Sequence, residues 1–184
     1  EIKLNNKTIT IDKPANEYEK GIFYVQVKLN PEGIIEITGY DQNFNPVRVT
    51  ISNQDGSEKS TSLIVYDEYG RKIKDISPEV YSENSEIADK ITDSCHTYKY
   101  SNTGMVIEET DAEKNTTSYK YDHAGNLLEQ KGPGSITYSY EYDNLYRIIR
   151  KSYTDELGTK ELESYSYERG DMNSPANKAS KLTH

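Results

Sequence analysis

The sequence predicts an all-β protein: an antiparallel meander of β-hairpins forming a curved open sheet, with one short helix inserted near 78-91. Three observations predict it. Tyrosines alternate with polar residues, as in Tyr119-Lys120-Tyr121, which is the period-two pattern of a strand with one apolar face. Such strands end in quartets with Asp, Asn or Ser first and Gly fourth, as in Asp122-His123-Ala124-Gly125. A type I turn asks for this: a short side chain that accepts a backbone N–H at the first position, and a residue tolerant of positive φ at the fourth. The outline also recurs, in Asn30 to Gly33, Asp67 to Gly70 and Ser101 to Gly104.

The quartet at Asp122 specifies a register. With Gly125 left-handed and forming a bulge, Asp122 pairs with Asn126, Tyr121 faces Leu127, and Lys120 faces Leu128. Two further copies keep the frame without the glycine, at Tyr40 to Asn45 and at Tyr140 to Ile148, where Asp143 holds the turn position. A degraded copy stands at Tyr165 to Glu168. The anchors 101, 122 and 143 lie 21 residues apart, room for two strands and two turns, whereas the other intervals of 11, 26, 34 and 25 are irregular.

In chain order, Ile9 and Ile11 alternate with Thr8, Thr10 and Asp12 as a first strand that Pro14 ends. Gly21 to Leu29 and Ile34 to Gly39 read as the arms of a hairpin closed by Asn30 to Gly33. The run Ile34-Ile35-Glu36-Ile37 is the most apolar in the chain and marks the best-buried part of the sheet. Val47 to Ile51 alternates again, Asn53 to Ser57 is a loop, and Ser62 to Tyr66 returns to a strand. The long interval before Ser101 holds an insertion. Ser77-Pro78 is an N-cap and first-turn pair, and Val80, Ile87, Ala88 and Ile91 share a helical face. That helix reads either as a lid on its own sheet or as an element for binding a partner. From Thr97 hairpins run to Tyr153, with Gly132-Pro133-Gly134 and Asp155 to Gly158 as return turns. One domain spans 1-170. After Gly170 almost no apolar residue remains, so 171-184 is expected as a poorly ordered tail or the point where a longer protein was cut.

Composition bounds the rest. Of 184 residues only 33% are hydrophobic, so the core is thin, and 17 tyrosines with two phenylalanines and no tryptophan suit a sheet with little cover. The formal charge of −9 disfavours nucleic acid and anionic lipid, which need clustered Lys and Arg. A single cysteine, Cys95, excludes an intramolecular disulfide. No apolar run reaches the roughly 18 residues of a membrane span. The chain starts at Glu1 without an initiator Met, so either a leader is removed or the sequence begins downstream of one.

Tyr-x-Tyr-Asp-x-x-Gly-Asn-Leu at 119 to 127, Tyr-Asp-x-x-Gly-Arg at 66 to 71 and Tyr-x-Tyr-Asp-Asn-Leu-x-Arg-Ile at 140 to 148 resemble the YD repeat of RHS-repeat proteins. The resemblance spans roughly residues 24 to 170 and is specific across 98 to 151. It implies a short bacterial member or a fragment, secreted or on the cell surface or in the periplasm, with hairpins joined in a spiralling sheet. In large members of the family such a sheet closes as a shell around a toxic domain; this chain has too few repeats to enclose anything.

Chemistry is sparse. Cys95 and His96 are neighbours, so a strand points them to opposite faces, and Cys95 reads as a small hydrophobe. His96, His123 and His184 share no ligand spacing, and Glu108-Glu109 and Asp155-Glu156 alternate between faces. No enzyme activity, cofactor or metal is expected. Asn6-Lys7-Thr8 and Asn115-Thr116-Thr117 match the glycosylation triplet, a pattern short enough to arise by chance. The one constellation is the tyrosine rows: Tyr98 and Tyr100, Tyr119 and Tyr121, Tyr138, Tyr140 and Tyr142, and Tyr165 and Tyr167, expected on one face of successive hairpins. They read either as a core stripe opposed by Val106, Leu127 and Ile148, or as an exposed platform for a glycan or partner chain, which requires rings more than half exposed. Two functions remain. One is a non-catalytic repeat module of a secreted or surface protein, acting in adhesion, carbohydrate contact or scaffolding, with a lipid anchor upstream compatible with it. The other is a shell fragment or immunity partner in a polymorphic-toxin system. The bare edges of an open sheet predict capping by a helix or tail, or edge-to-edge pairing with a second copy.

Overall fold

The computed structural model describes residues 2–4, 7–9, 11, 19, 21–84, 95–169 and 180–183. Twelve strands form one open antiparallel meander, each bonded to the strand before it in sequence. They are β3 (Tyr24–Leu29), β4 (Ile34–Tyr40), β5 (Pro46–Asn53), β6 (Ser60–Tyr66), β7 (Lys72–Ile76), β8 (His96–Tyr100), β9 (Val106–Thr110), β10 (Thr116–Tyr121), β11 (Leu127–Lys131), β12 (Thr137–Tyr142), β13 (Ile148–Asp155) and β14 (Gly158–Ser164). The edges of this sheet are β3 and β14. Two small hairpins stand apart from it: β1 (Ile2–Leu4) with β2 (Lys7–Ile9), and β15 (Ser166–Arg169) with β16 (Ser180–Thr183). The contacts gather into two compact units, Glu1–Tyr98 with Thr110–Lys114, and Lys99–Glu109 with Asn115–His184, where the sequence reading drew one domain over 1–170. Ser180–Thr183 is a strand within the stretch expected as a tail, and residues 170–179 lie outside the described ones.

In the first unit, one face of β4 to β7 is covered. Alternation places Ile35 and Ile37 on that face, where they bury under Ile9 of β2, with Val25, Val27 and Leu29 of β3 alongside. Register then carries the face across: Gly39 stands opposite Arg48, Arg48 opposite Leu63, and Leu63 opposite Ile76. Leu63 and Ile76 are fully buried with Cys95, under Val80 and Tyr81 of the helix α1 (Pro78–Asn84). The helix is therefore a lid, and its first turn is closed by Tyr81 N–H donating to the Ser77 carbonyl at 3.0 Å. The expected helix ran to 91; Ile87, Ala88 and Ile91 lie outside the described residues. Burial pushes the Cys95 thiol up from its ordinary pKa, as suits a core residue. Gly39 is a close-approach glycine, since a Cβ there would stand 2.8 Å from Ile22 Cδ1.

One feature of this unit has no signature in the sequence. Arg48 Nη1 meets Glu19 Oε2 at 2.6 Å, with the two side chains 5% and 0% exposed. Tyr81 donates its phenol to the other Glu19 oxygen at 2.7 Å. The pair thus ties Glu19 and α1 to β5. Buried charges hold only while both are present, because either alone keeps its desolvation cost with no Coulombic return. Arg48→Ala is expected to destabilise the protein by about 3–5 kcal/mol, and the double change Glu19→Leu with Arg48→Met by less than either single one. Urea unfolding of Arg48→Ala, of Glu19→Leu and Arg48→Met singly, and of the double change checks this.

Candidate functional site

The repeating turn is the part of the structure that the sequence describes best. In each, the first residue donates its N–H to the carbonyl four residues on and accepts the N–H three residues on: Asp122 with Asn126 and Gly125, Ser101 with Met105 and Gly104, Asp143 with Arg147 and Tyr146. The side chain then closes the loop. Asp122 Oδ1 accepts the N–H groups of Ala124 and Asn126 at 2.9 and 2.8 Å, while Oδ2 accepts the Asn126 side-chain amide at 2.7 Å. Asp143 repeats this with Leu145, Arg147 and the Arg147 guanidinium. Within the first unit Asp41 does so with Asn43 and Asn45, and Asp67 with Tyr69 and Arg71.

The copies without glycine keep the same backbone. Phe44 and Tyr146 take φ of 63° and 60° where Gly70, Gly104 and Gly125 take 76°, 86° and 91°. Asn30 and Gly33 form the same turn, closed by Asn30 Oδ1 accepting the Ile34 N–H at 2.7 Å. Connectivity puts that turn at the opposite end of the strands from Asp41 and Asp67, however, because successive turns of a meander alternate ends. The sequence reading also missed a turn at Asp111, whose fourth residue, Lys114, is left-handed at φ 70°.

The register at Asp122 differs from the expected one by one residue. Tyr121 does face Leu127, but Lys120 faces Glu129, and Leu128 is the extra residue of a bulge. The same slip follows Asp41, Asp67 and Asp143, absorbing Val47, Ile73 and Ile149. A glycine-closed turn alone does not reveal it, because the bulge lies in the returning strand, three residues past the turn.

In the second unit the bulge sets Glu129 opposite Lys120, on the face away from Tyr119. On one face Lys120 meets Glu129 at 2.6 Å, Lys99 meets Glu108 at 2.6 Å, and Arg150 bridges Glu141 and Glu161 at 3.0 and 3.2 Å. On the other, Tyr119, Gln130, Tyr138 and Tyr153 stand opposite one another on successive strands. Tyr138 and Tyr153 are in tilted contact at 6.5 Å. Tyr140 sits opposite Lys151, and Tyr142 opposite Ile148. A shallow groove of about 720 Å³ crosses Met105, Ile107, Tyr119, Tyr121 and His123.

A second wiring rule ties repeat to repeat. A repeat tyrosine donates its phenol to the carbonyl five residues past the previous anchor: Tyr142 to Leu127 at 2.9 Å, Tyr167 to Ile148 at 2.9 Å and, in the first unit, Tyr66 to Pro46 at 3.1 Å. Tyr167 also lies under the Arg147 guanidinium, 4.2 Å from its ring centroid, so the degraded copy at 165 to 168 keeps its packing role. Tyr119 instead donates to Glu109 at 2.5 Å, and Tyr165 to Glu163. Tyr98, in the first unit, carries Lys72 Nζ 4.9 Å from its ring centroid, with His96 stacked beside it.

The nine candidate tyrosines are thus engaged with their own sheet. Tyr138 is the most exposed of them at 40%, short of the half-exposed ring a platform requires. Tyr100, Tyr121 and Tyr140, like the rest, are partly buried. Exposure of that kind is found elsewhere, at Phe23, Phe44, Tyr69, Leu145 and Tyr146.

Fold and turns together define an open array of hairpin repeats with an aspartate, or at 30 and 101 an asparagine and a serine, at the recurring corners. Residues 100–135 and 121–160 match the RHS Repeat family, and the stretch from 100 to 160 is RHS-repeat sequence. No curated protein sequence matches the chain. Among solved structures, the TcdB2–TccC3–Cdc42 complex is similar over 73% of this chain at 15% identity, with a TM-score of 0.62. A Photorhabdus luminescens Tc holotoxin pore carrying a TccC3 mutation is similar over 76% at 14% identity, also with a TM-score of 0.62. This chain spans 7% of the length of each of those chains.

The turn aspartates have a consequence for acid stability. At Asp122 and Asp143 the side-chain bonds from Asn126 and Arg147, with the backbone bonds, hold the carboxyl below its usual range. At Asp41 and Asp67 desolvation pushes upward but is outweighed, by the bonds from Asn45 and Asn43 and by those from Arg71 and Tyr69. A folded pKa below the unfolded one gives stability that is full above about pH 4 and lost as pH falls through the folded value. Acid unfolding followed by circular dichroism should therefore begin below about pH 4, and Asp122→Ala should flatten the dependence while lowering the urea midpoint. At the other extreme, burial and then the bond to Glu109 push Tyr119 up to about 12. Ultraviolet titration should show a late phenol that Tyr119→Phe removes.

Proposed function

We propose that the chain is a non-catalytic repeat module of a bacterial secreted or cell-surface protein and that its task is scaffolding. The observation that carries this is the shared wiring of the turns at Asp41, Asp67, Asp122 and Asp143, whose carboxylates all serve the backbone of their own corner. Residues that hold the sheet in this way suit a wall rather than a reaction. Adhesion and carbohydrate contact are compatible with a wall, but the partial burial of the tyrosine rows does not favour those rows as the contact surface.

A second reading is a shell fragment or an immunity or auxiliary partner in a polymorphic-toxin system. The likeness in fold to chains of TcdB2–TccC3 structures supports it, as does the open edge at each end of the meander, where further strands can pair. An edge-to-edge dimer uses the same feature. As a scaffold module or a shell segment the protein is exported, so fractionation of a producing bacterium with an antibody to this chain should find it in the medium, envelope or cell surface. Recovery of all of it from the cytosol would overturn the proposal, as would substrate turnover by the purified chain.

A further inference from the structure

The exposure that the tyrosine rows lack occurs in the first unit, at a pair of rings on β3 and the Asp41 turn. Tyr24 and Phe44 stack with centroids 4.5 Å apart and planes within 9°. They are 47% and 66% exposed. Phe44 occupies the left-handed fourth position of its turn, at φ 63°, where Gly33, Gly70, Gly104 and Gly125 stand in turns closed by the same pair of backbone bonds and where, besides Phe44, Tyr146 at φ 60° also carries an exposed ring. A phenylalanine there carries strain that glycine avoids, and the stack on Tyr24 uses only one face of the ring. A bulky apolar side chain kept in a strained position, with most of its surface in water, is poorly explained by the fold alone.

Its surroundings are neutral hydrogen-bonding groups. Tyr24 stands opposite Tyr40 in the register, and Gln26 follows two residues along on the same face. The Tyr40 phenol donates to Gln26 Oε1 at 3.0 Å, which leaves the amide nitrogen to donate and the phenol oxygen to accept. The adjacent charges are already engaged. Asp41 Oδ1 takes the Asn43 and Asn45 N–H groups and Oδ2 the Asn45 amide, and Lys28 binds Glu36 at 2.8 Å. Phe23, 67% exposed, is next to Tyr24 in sequence and by alternation belongs to the other face.

We propose that Phe44, Tyr24, Gln26 and Tyr40 form a contact site for one residue of a neutral glycan. A pyranose ring lays its C–H face on the open side of the aromatic pair, and its hydroxyls pair with the Gln26 amide and the Tyr40 phenol. Neutral sugars fit and acidic ones do not, since the groups that line the ledge carry no cation to spare and the chain bears a net charge of −9. The site goes beyond the scaffold reading and uses different residues from the tyrosine rows, so either proposal stands if the other fails.

The experiment titrates the full chain with cellotetraose, chitotetraose, maltotetraose and galactotetraose, with sialyllactose as the acidic control. It follows the ring and amide proton signals of Phe44, Tyr24 and Gln26 by NMR. Saturable shifts at these residues with at least one neutral oligosaccharide are expected. Phe44→Gly restores the residue that the related turns use, so its Tm should be unchanged or higher while binding weakens about tenfold or more. Gln26→Ala should weaken binding with Tm unchanged. The proposal is overturned if no neutral sugar gives saturable shifts up to its solubility, or if Phe44→Gly binds as the parent does. It is overturned equally if light scattering shows a dimer that Phe44→Gly dissociates, which would make the ledge a contact between copies.

Discussion

The structure depends on one recurring interaction: a carboxylate, at the end of a strand, that accepts the backbone N–H groups two and four residues ahead. This bond fixes a turn of four residues and forces the fourth into the left-handed region, through which the chain reverses. Once the corner is fixed, the pairing of the flanking strands follows, and with it the face on which every side chain lies. The bulge three residues past the corners at Asp41, Asp67, Asp122 and Asp143 then resets the alternation, so the residues that flank it do not simply continue the pattern set at the turn. Corner and bulge act together. The first decides where the chain folds back, and the second decides what faces what.

Around this frame the two units bury little apolar surface and are stabilised differently. The first covers one sheet face, with Ile9 over Ile35 and Ile37 and α1 over Leu63, Ile76 and Cys95, and fastens the cover with the Glu19–Arg48 pair. In the second, the wiring is between strands: phenols bond to carbonyls or carboxylates of neighbouring strands, and cross-strand ion pairs line the opposite face. Each exposed ion pair is worth little, roughly 0.2–1 kcal/mol, but a tyrosine that buries its ring edge and also satisfies a backbone carbonyl contributes on two accounts. Tyrosine is suited to that position where phenylalanine is not, which explains a composition with many of the one and only two of the other. Both phenylalanines lie at the surface, one of them at a corner.

Sequence by itself determined the local geometry. Asp or Ser three residues before Gly is a backbone instruction that acts over four residues, so the corners at Asp67, Ser101 and Asp122 were legible without any tertiary information, as were the strands between them; the corner at Asp143, which has Tyr146 in place of Gly, was legible from its repeat frame. The lid was half legible, through Ser77-Pro78 and Val80. Tertiary structure decided whatever depends on residues distant in sequence or on an added residue in a strand. The bulge at Leu128 shifted Lys120 onto Glu129, because register is a property of two strands rather than one. The place of Asn30 at the other end of its strands followed from counting strands, not from its turn chemistry. Glu19 and Arg48, 29 residues apart, carry no pattern that pairs them, and only the fold brings them together. The same is true of exposure: alternation assigns a tyrosine to a face, but whether that face meets water is decided by the neighbouring strands and by whatever the fold lays over them.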